Sequence, residues 1–175
     1  MAFIDVAEGE GTNFERAFAR RAEVFAAWQQ LNSSIKATSD LRRYELATLA
    51  AARQLRSSYC CLAHGKVLAE LFYDYESVPK LPDGLDETDR EFMSFAEKVV
   101  VDATSITQAD VDELCAHGLT EDEVFDVVLA AAARCFFSKT LDALGVQPDA
   151  AYSELDPSFV EPLTVGRPIA VTARR

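Results

Sequence analysis

Apolar residues recur along this chain at three- and four-residue steps rather than in alternation, a pattern that predicts helices throughout. From Asn13 onward, Phe14, Phe18, Ala22, Phe25, Trp28 and Leu31 share one face while Glu15, Arg16, Arg20 and Glu23 fall elsewhere, so the first amphipathic helix is expected to end near Asn32. Ser39 and Asp40 suit the start of a second helix over residues 41–55, rich in Ala, Leu and Arg. Ser57 and Ser58 offer a cap for a third over 59–73, after which the prolines and glycine of VPKLPDG require a loop. Asp86 opens a fourth helix whose stripe is Phe92, Phe95, Ala96 and Val99. Thr107 opens a short fifth that closes at His117 and Gly118, where the imidazole suits the last free carbonyls.

The strongest start signal is LTEDEV, in which Thr120 and Glu123 form a capping box and Leu119 can pack on Val124. The helix it opens runs to Leu144, roughly 37 Å at 1.5 Å per residue, and Gly145 ends it. Its broad apolar face makes it the expected central core element. Residues 1–12 lack periodicity and read as a peripheral arm. The tail, 148–175, carries prolines and the exposed-looking apolars Phe159, Leu163 and Val165, as in a segment that packs on a neighbouring subunit. The fold class is therefore all-α, a single domain over 1–175 of about six helices with a long helix near its C-terminal end.

Charge changes the picture of possible partners. With 29 Asp and Glu against 17 Lys and Arg, a net charge of −12 disfavours nucleic acid and anionic membrane surfaces. The apolar runs are too short to span a bilayer, and the first residues lack a basic segment followed by an apolar one, so a cytoplasmic location is expected. Four cysteines in a domain with 49% hydrophobic residues are expected to stay reduced. Cys60 and Cys61 are adjacent while Cys115 and Cys135 stand alone, so zinc-type pairing is missing and no metal is expected. Cys61, Cys115 and Cys135 read as core residues.

The chemistry concentrates between Arg42 and Glu70. Cys60 and His64, four apart at the start of the third helix, share a face; the helix dipole there favours a thiolate, and an imidazole one turn on can take its proton. Glu45 lies twelve residues before Ser57, and a bend at Ser57 and Ser58 would bring its carboxylate toward His64 as orienter or proton relay. Tyr59 is a candidate pocket wall.

This arrangement resembles the alkylhydroperoxidase D and carboxymuconolactone decarboxylase group. In that group a helical Glu is followed twelve residues later by Cys-x-x-Cys and, after three more, by His. Glu45, Cys60 and His64 match, and the stretches YELATLAAARQL, LTEDEVFDVVLAAAARCFFSKTLDALGVQPD and LTVGRPI resemble further parts of it. The first motif cysteine is replaced by Ser57. The resemblance implies a helical domain with its core motif over 41–73, no cofactor, homo-oligomers, and a peroxidase in which the inner thiolate attacks a hydroperoxide and the outer thiol resolves the sulfenic acid. Ser57 removes that resolving thiol. Cys61 is a poor substitute, because adjacent Cα atoms lie near 3.8 Å, inside the usual disulfide range of about 4.4 Å or more. The expected activity is a one-cysteine, peroxidase-like reduction of small hydroperoxides by Cys60 with an external thiol reductant. The alternatives are a lactone decarboxylase using Glu45 and His64, or a non-catalytic scaffold or redox-sensing module.

Overall fold

The structure is a computed structural model that describes residues 2–6 and 9–171; Met1, 7–8 and 172–175, which belong to the expected arm and tail, lie outside them. Local capping chemistry sets most element starts. α1 (Asn13–Phe18) begins at a reciprocal Thr12–Glu15 box and passes through a 3₁₀ turn, Ala19–Arg21, into α2 (Ala22–Thr38). Asp40 caps α3 (Leu41–Gln54), and Ser57 holds the cap position of α4 (Ser58–Leu71) without a side-chain capping bond. Asp86 caps α5 (Glu87–Asp102), Thr107 with Asp110 starts α6 (Gln108–Ala116), and the Thr120–Glu123 box starts α7 (Glu121–Ala143). The tail adds a 3₁₀ turn, Ala150–Glu154, and α8 (Pro157–Leu163). Among the described residues no strand forms, and no helix is long and apolar enough to cross a membrane.

α3 joins the long α7 at the centre of the fold. Every residue from Tyr44 to Ala52 is buried, and α4, α5 and α7 all pack on this helix. Small side chains explain it: Ala47, Ala50, Ala51 and Ala52 let neighbours approach on several sides, whereas α7 leaves Phe125 and Phe136 exposed. α7 is the expected long core helix, amphipathic, with nine buried residues of its own against α2, α3, α5 and α6.

The first predicted helix is broken. Arg21, at φ −143° and ψ 62°, interrupts it without any Gly or Pro to announce the break, and α2 then runs on to Thr38. The interruption turns the apolar stripe, so Trp28 and Ile35 are buried while Leu31 and Val24 are exposed. Val24, Leu31 and Phe136 border an apolar groove between α2 and α7. At the end of α6 the His117 imidazole pairs with Glu113 at 3.3 Å instead of with the last carbonyls.

The tail is also corrected: it packs on its own chain. Phe159 and Leu163 are fully buried, against the sequence expectation, and α8 lies on α4, where Gly65 leaves room for the Leu163 methyl. Cys61 is buried as expected, whereas Cys115 and Cys135 are only partly so.

Between α3 and α4 the chain reverses tightly. Arg56 adopts the left-handed region at φ 54°, with Arg56 N–H donating to Arg53 and Ser57 N–H to Ala52, the two bonds of a helix-closing turn. The tail seals this turn where Gly166 N–H donates to Ser58 Oγ at 2.8 Å. A Cβ at Gly166 would stand 1.9 Å from the Arg56 carbonyl oxygen, which is backbone and cannot swing away. Gly166→Ala should therefore lower unfolding free energy by about 1–3 kcal/mol, read as a lower denaturant midpoint with an unchanged slope. A variant as stable as the parent would show that the tail does not close on the turn.

Candidate active site

The turn at Leu55–Ser57 folds α4 back on α3, so residues nineteen apart in sequence meet: His64 Nδ1 lies 2.6 Å from Glu45 Oε2. Glu45 is only 1% exposed, and a bare carboxylate could not remain there. Its second oxygen is met by Lys36 Nζ from α2 at 3.1 Å. Burial pushes the Glu45 carboxyl up, but the bonds from His64 and Lys36 outweigh it and hold the group below its ordinary value. His64 moves down as well, first through burial and then through the nearby Arg134 cation, with Glu45 pulling the other way. The consistent state is an ionised Glu45 accepting the Nδ1 proton of a neutral imidazole, which leaves Nε2 with the lone pair.

Cys60 is the third residue of α4 and is 1% exposed. The four-residue spacing places Cys60 and His64 on one helix face, but among the described residues no hydrogen bond joins them. The sulfur accepts instead from α7, from Ser138 Oγ at 3.1 Å and Arg134 Nη1 at 3.7 Å. Arg134 also donates to Asn32 Oδ1 at 3.3 Å, the same oxygen that receives the Tyr44 hydroxyl at 2.8 Å. The Tyr44 ring meets His64 edge-on at 6.3 Å. Four helices thus converge: α2 brings Asn32 and Lys36, α3 brings Tyr44 and Glu45, α4 brings Cys60 and His64, and α7 brings Arg134 and Ser138.

The remaining predicted residues face elsewhere. Tyr59 is buried with its hydroxyl bonded to Asp149, and burial followed by that carboxylate raises its ionisation far out of reach. Cys61 is fully buried, and burial, then the neighbouring Cys60, push its thiol up to about 12. The Ser57 hydroxyl, also fully buried, faces the Asp142 carboxylate without completing a bond of ordinary geometry. Burial raises that carboxyl, against the Ser57 hydroxyl and Arg167.

Sequence reasoning missed Lys36, Asn32, Arg134 and Ser138. For Arg134 a signal existed, a lone cation inside the apolar run VVLAAAARCFF. Buried arginine is rare unless something pairs with it.

No family model matches the chain, and no curated protein matches it. Solved structures do. An uncharacterized peroxidase-related protein with an alkylhydroperoxidase AhpD core, from Ralstonia eutropha JMP134, superposes with a TM-score of 0.71 at 20% identity, over 89% of this chain and 82% of that one. An uncharacterized peroxidase-related protein from Silicibacter sp. TM1040 gives 0.74 at 21% identity, over 81% and 78%. The debrominase Bmp8, a Cys-to-Ala variant in complex with 2,3,4-tribromopyrrole, gives 0.72 at 16%, over 88% and 84%. The fold is thus the AhpD-like helical fold, and these identities speak to fold alone.

The protonation states make a pH prediction. Because His64 is held below 6.5, the unfolded chain binds a proton that the native state refuses, so this contribution is complete above pH 6.5 and is lost on acidification below it. Glu45, held below 4.5, adds a loss in the same direction at lower pH. Unfolding free energy should thus fall from pH 6.5 downward by at most about 1.4 kcal/mol per pH unit for each group. His64→Gln should flatten the upper part of the decline. Stability that rises on mild acidification would contradict a neutral imidazole.

Proposed function

We propose that this protein is a thiol-based, peroxidase-like oxidoreductase in which Cys60 attacks a small hydroperoxide. The single observation that carries the reading is the placement of Cys60 at the start of α4, with two donors, Ser138 and Arg134, aimed at its sulfur beside a carboxylate–imidazole pair. Donors aimed at sulfur favour an anionic nucleophile. The Cys60 thiolate bonds to the terminal peroxide oxygen, the O–O bond breaks, and the alcohol leaves after receiving a proton, leaving Cys60 as sulfenic acid. At Nε2, His64, oriented by Glu45, takes the hydroperoxide's own proton and passes it to the leaving oxygen, and the sulfenate takes up a proton from water.

With Ser57 in place of a resolving thiol and Cys61 held un-ionised, an external thiol condenses with the sulfenic acid to release water. A second thiol then restores Cys60 and departs as the reductant's disulfide. Enclosure of the sulfur favours the smallest peroxides. The reading includes a cytoplasmic homo-oligomer, and sedimentation that finds only monomer counts against the assembly.

A second reading is favoured by that same enclosure together with Ser57: a redox-sensing module in which Cys60 is oxidised but turns over slowly. The fold alone does not choose, since a debrominase shares it.

Stoichiometric hydrogen peroxide with a sulfenate trap should label Cys60, and Cys60→Ser should abolish both labelling and thiol-dependent peroxide consumption. Labelling confined to Cys115 or Cys135 would sink the assignment. Ser57→Cys should add dithiol-dependent turnover; labelled Cys60 with no gain in this variant would favour the sensor.

A further inference from the structure

One charge in the site has no opposite. Glu45 is matched by Lys36 and by the neutral His64, but Arg134, 4% exposed, is ion-paired with no carboxylate among the described residues. A guanidinium does not give up its proton in a protein, so burial cannot neutralise it. Asn32 supplies one carbonyl oxygen, and the rings of Trp28 and Phe137 lie 5.7 and 5.3 Å from the guanidinium carbon. Those contacts orient the cation and soften its desolvation, yet none carries a full negative charge. Nε remains buried without a partner. The other group that receives an Arg134 hydrogen bond is the Cys60 sulfur, which also receives Ser138.

We propose that Arg134 is the counter-ion of Cys60, so that the reduced protein holds this sulfur as a thiolate between the guanidinium and the Ser138 hydroxyl, its proton released to solvent. This rests on Cys60 being the reactive sulfur and goes further, assigning its ionisation to α7 rather than to His64. The imidazole, committed through Nδ1 to Glu45, then keeps its Nε2 lone pair to relay the peroxide's own proton to the leaving oxygen. The other titratable groups around the sulfur are Tyr44 and Glu45 from α3, His64 and Cys61 on its own helix, and Tyr152 from the tail, with Lys36 behind Glu45. Of these, Lys36 is the sole standing cation, and it is engaged with Glu45.

The test reads ionisation without peroxide, so it can fail independently of the peroxidase reading. The rate at which iodoacetamide alkylates Cys60 is followed by mass spectrometry against pH in the parent, Arg134→Met, Arg134→Lys and His64→Gln. Arg134→Met should move the midpoint of the profile upward by about one pH unit, an about ten-fold slower alkylation at pH values below the parent's midpoint. Arg134→Lys should restore much of it, and His64→Gln should leave the midpoint near the parent's. A change in access rescales the rate at every pH, whereas a change in ionisation moves the midpoint. An unmoved midpoint in a folded Arg134→Met overturns the proposal, as does a larger shift in His64→Gln. Should Arg134→Met fail to fold, the ultraviolet thiolate absorbance of the parent minus Cys60→Ser decides: its presence at neutral pH supports the counter-ion, and its absence overturns it.

Discussion

A carboxylate within nine consecutive buried residues is the constraint from which the site follows. Glu45 cannot stay ionised in α3 unless hydrogen-bond donors reach it from outside that helix, because desolvation alone would push the group toward its neutral form. Lys36 and His64 satisfy this requirement, and satisfying it fixes the approach of α2 on one side and α4 on the other. The tight reversal through Arg56, closed by the tail at Gly166, is what lets α4 lie close enough for His64 to arrive. The polar pair and the packing around it are therefore one arrangement. The alanines that let neighbours close on α3 also exclude water that could otherwise have solvated Glu45.

The same low-polarity surroundings divide the site into two electrical halves. On one, Glu45, His64 and Lys36 balance internally, and a neutral ring with a free Nε2 results. On the other, α7 contributes a cation that its own surroundings do not balance, with Asn32 as the polar link to the first half through Tyr44. The two cysteines at the start of α4 then diverge in character through direction alone. Cys60 meets donors, whereas Cys61, one residue and about 100° further around the helix, meets apolar packing that holds it as a thiol.

Much of this was legible in order along the chain, because caps are local. Asp40, Asp86, Thr107 and Thr120 each start a helix by bonding residues three ahead, and such signals do not depend on the rest of the fold. What escaped the sequence is non-local. Arg21 breaks a helix with neither Gly nor Pro. Phe159 and Leu163 look exposed in a proline-rich tail until α8 is seen to lie on α4. In the site, the spacing of Glu45, Cys60 and His64 indicates which residues can approach, but not which partner each one takes. The sulfur's partners come from α7, more than seventy residues away, and no periodicity encodes that meeting. The sequence pattern points to α7 as a core helix, but not to α3 beside it, whose centrality comes from small residues that let α4, α5 and α7 close on it.

Fold and chemistry separate at this point. Peroxidase-related proteins and a debrominase share the helical frame, so the frame determines only where a cysteine, a carboxylate and an imidazole can be placed. What the cysteine does depends on its immediate neighbours. A thiol at position 57 would supply an internal partner for an oxidised Cys60; a hydroxyl there, buried against Asp142, cannot accept the exchange and leaves resolution to a molecule from outside. On the peroxidase reading proposed above, that molecule would have to reach a sulfur 1% exposed, so opening of the wall around α4 would limit turnover. Slow resolution also lengthens the life of the oxidised sulfur, so the features that would make this chain a poor peroxidase are those that would let it hold a redox state long enough to be sensed.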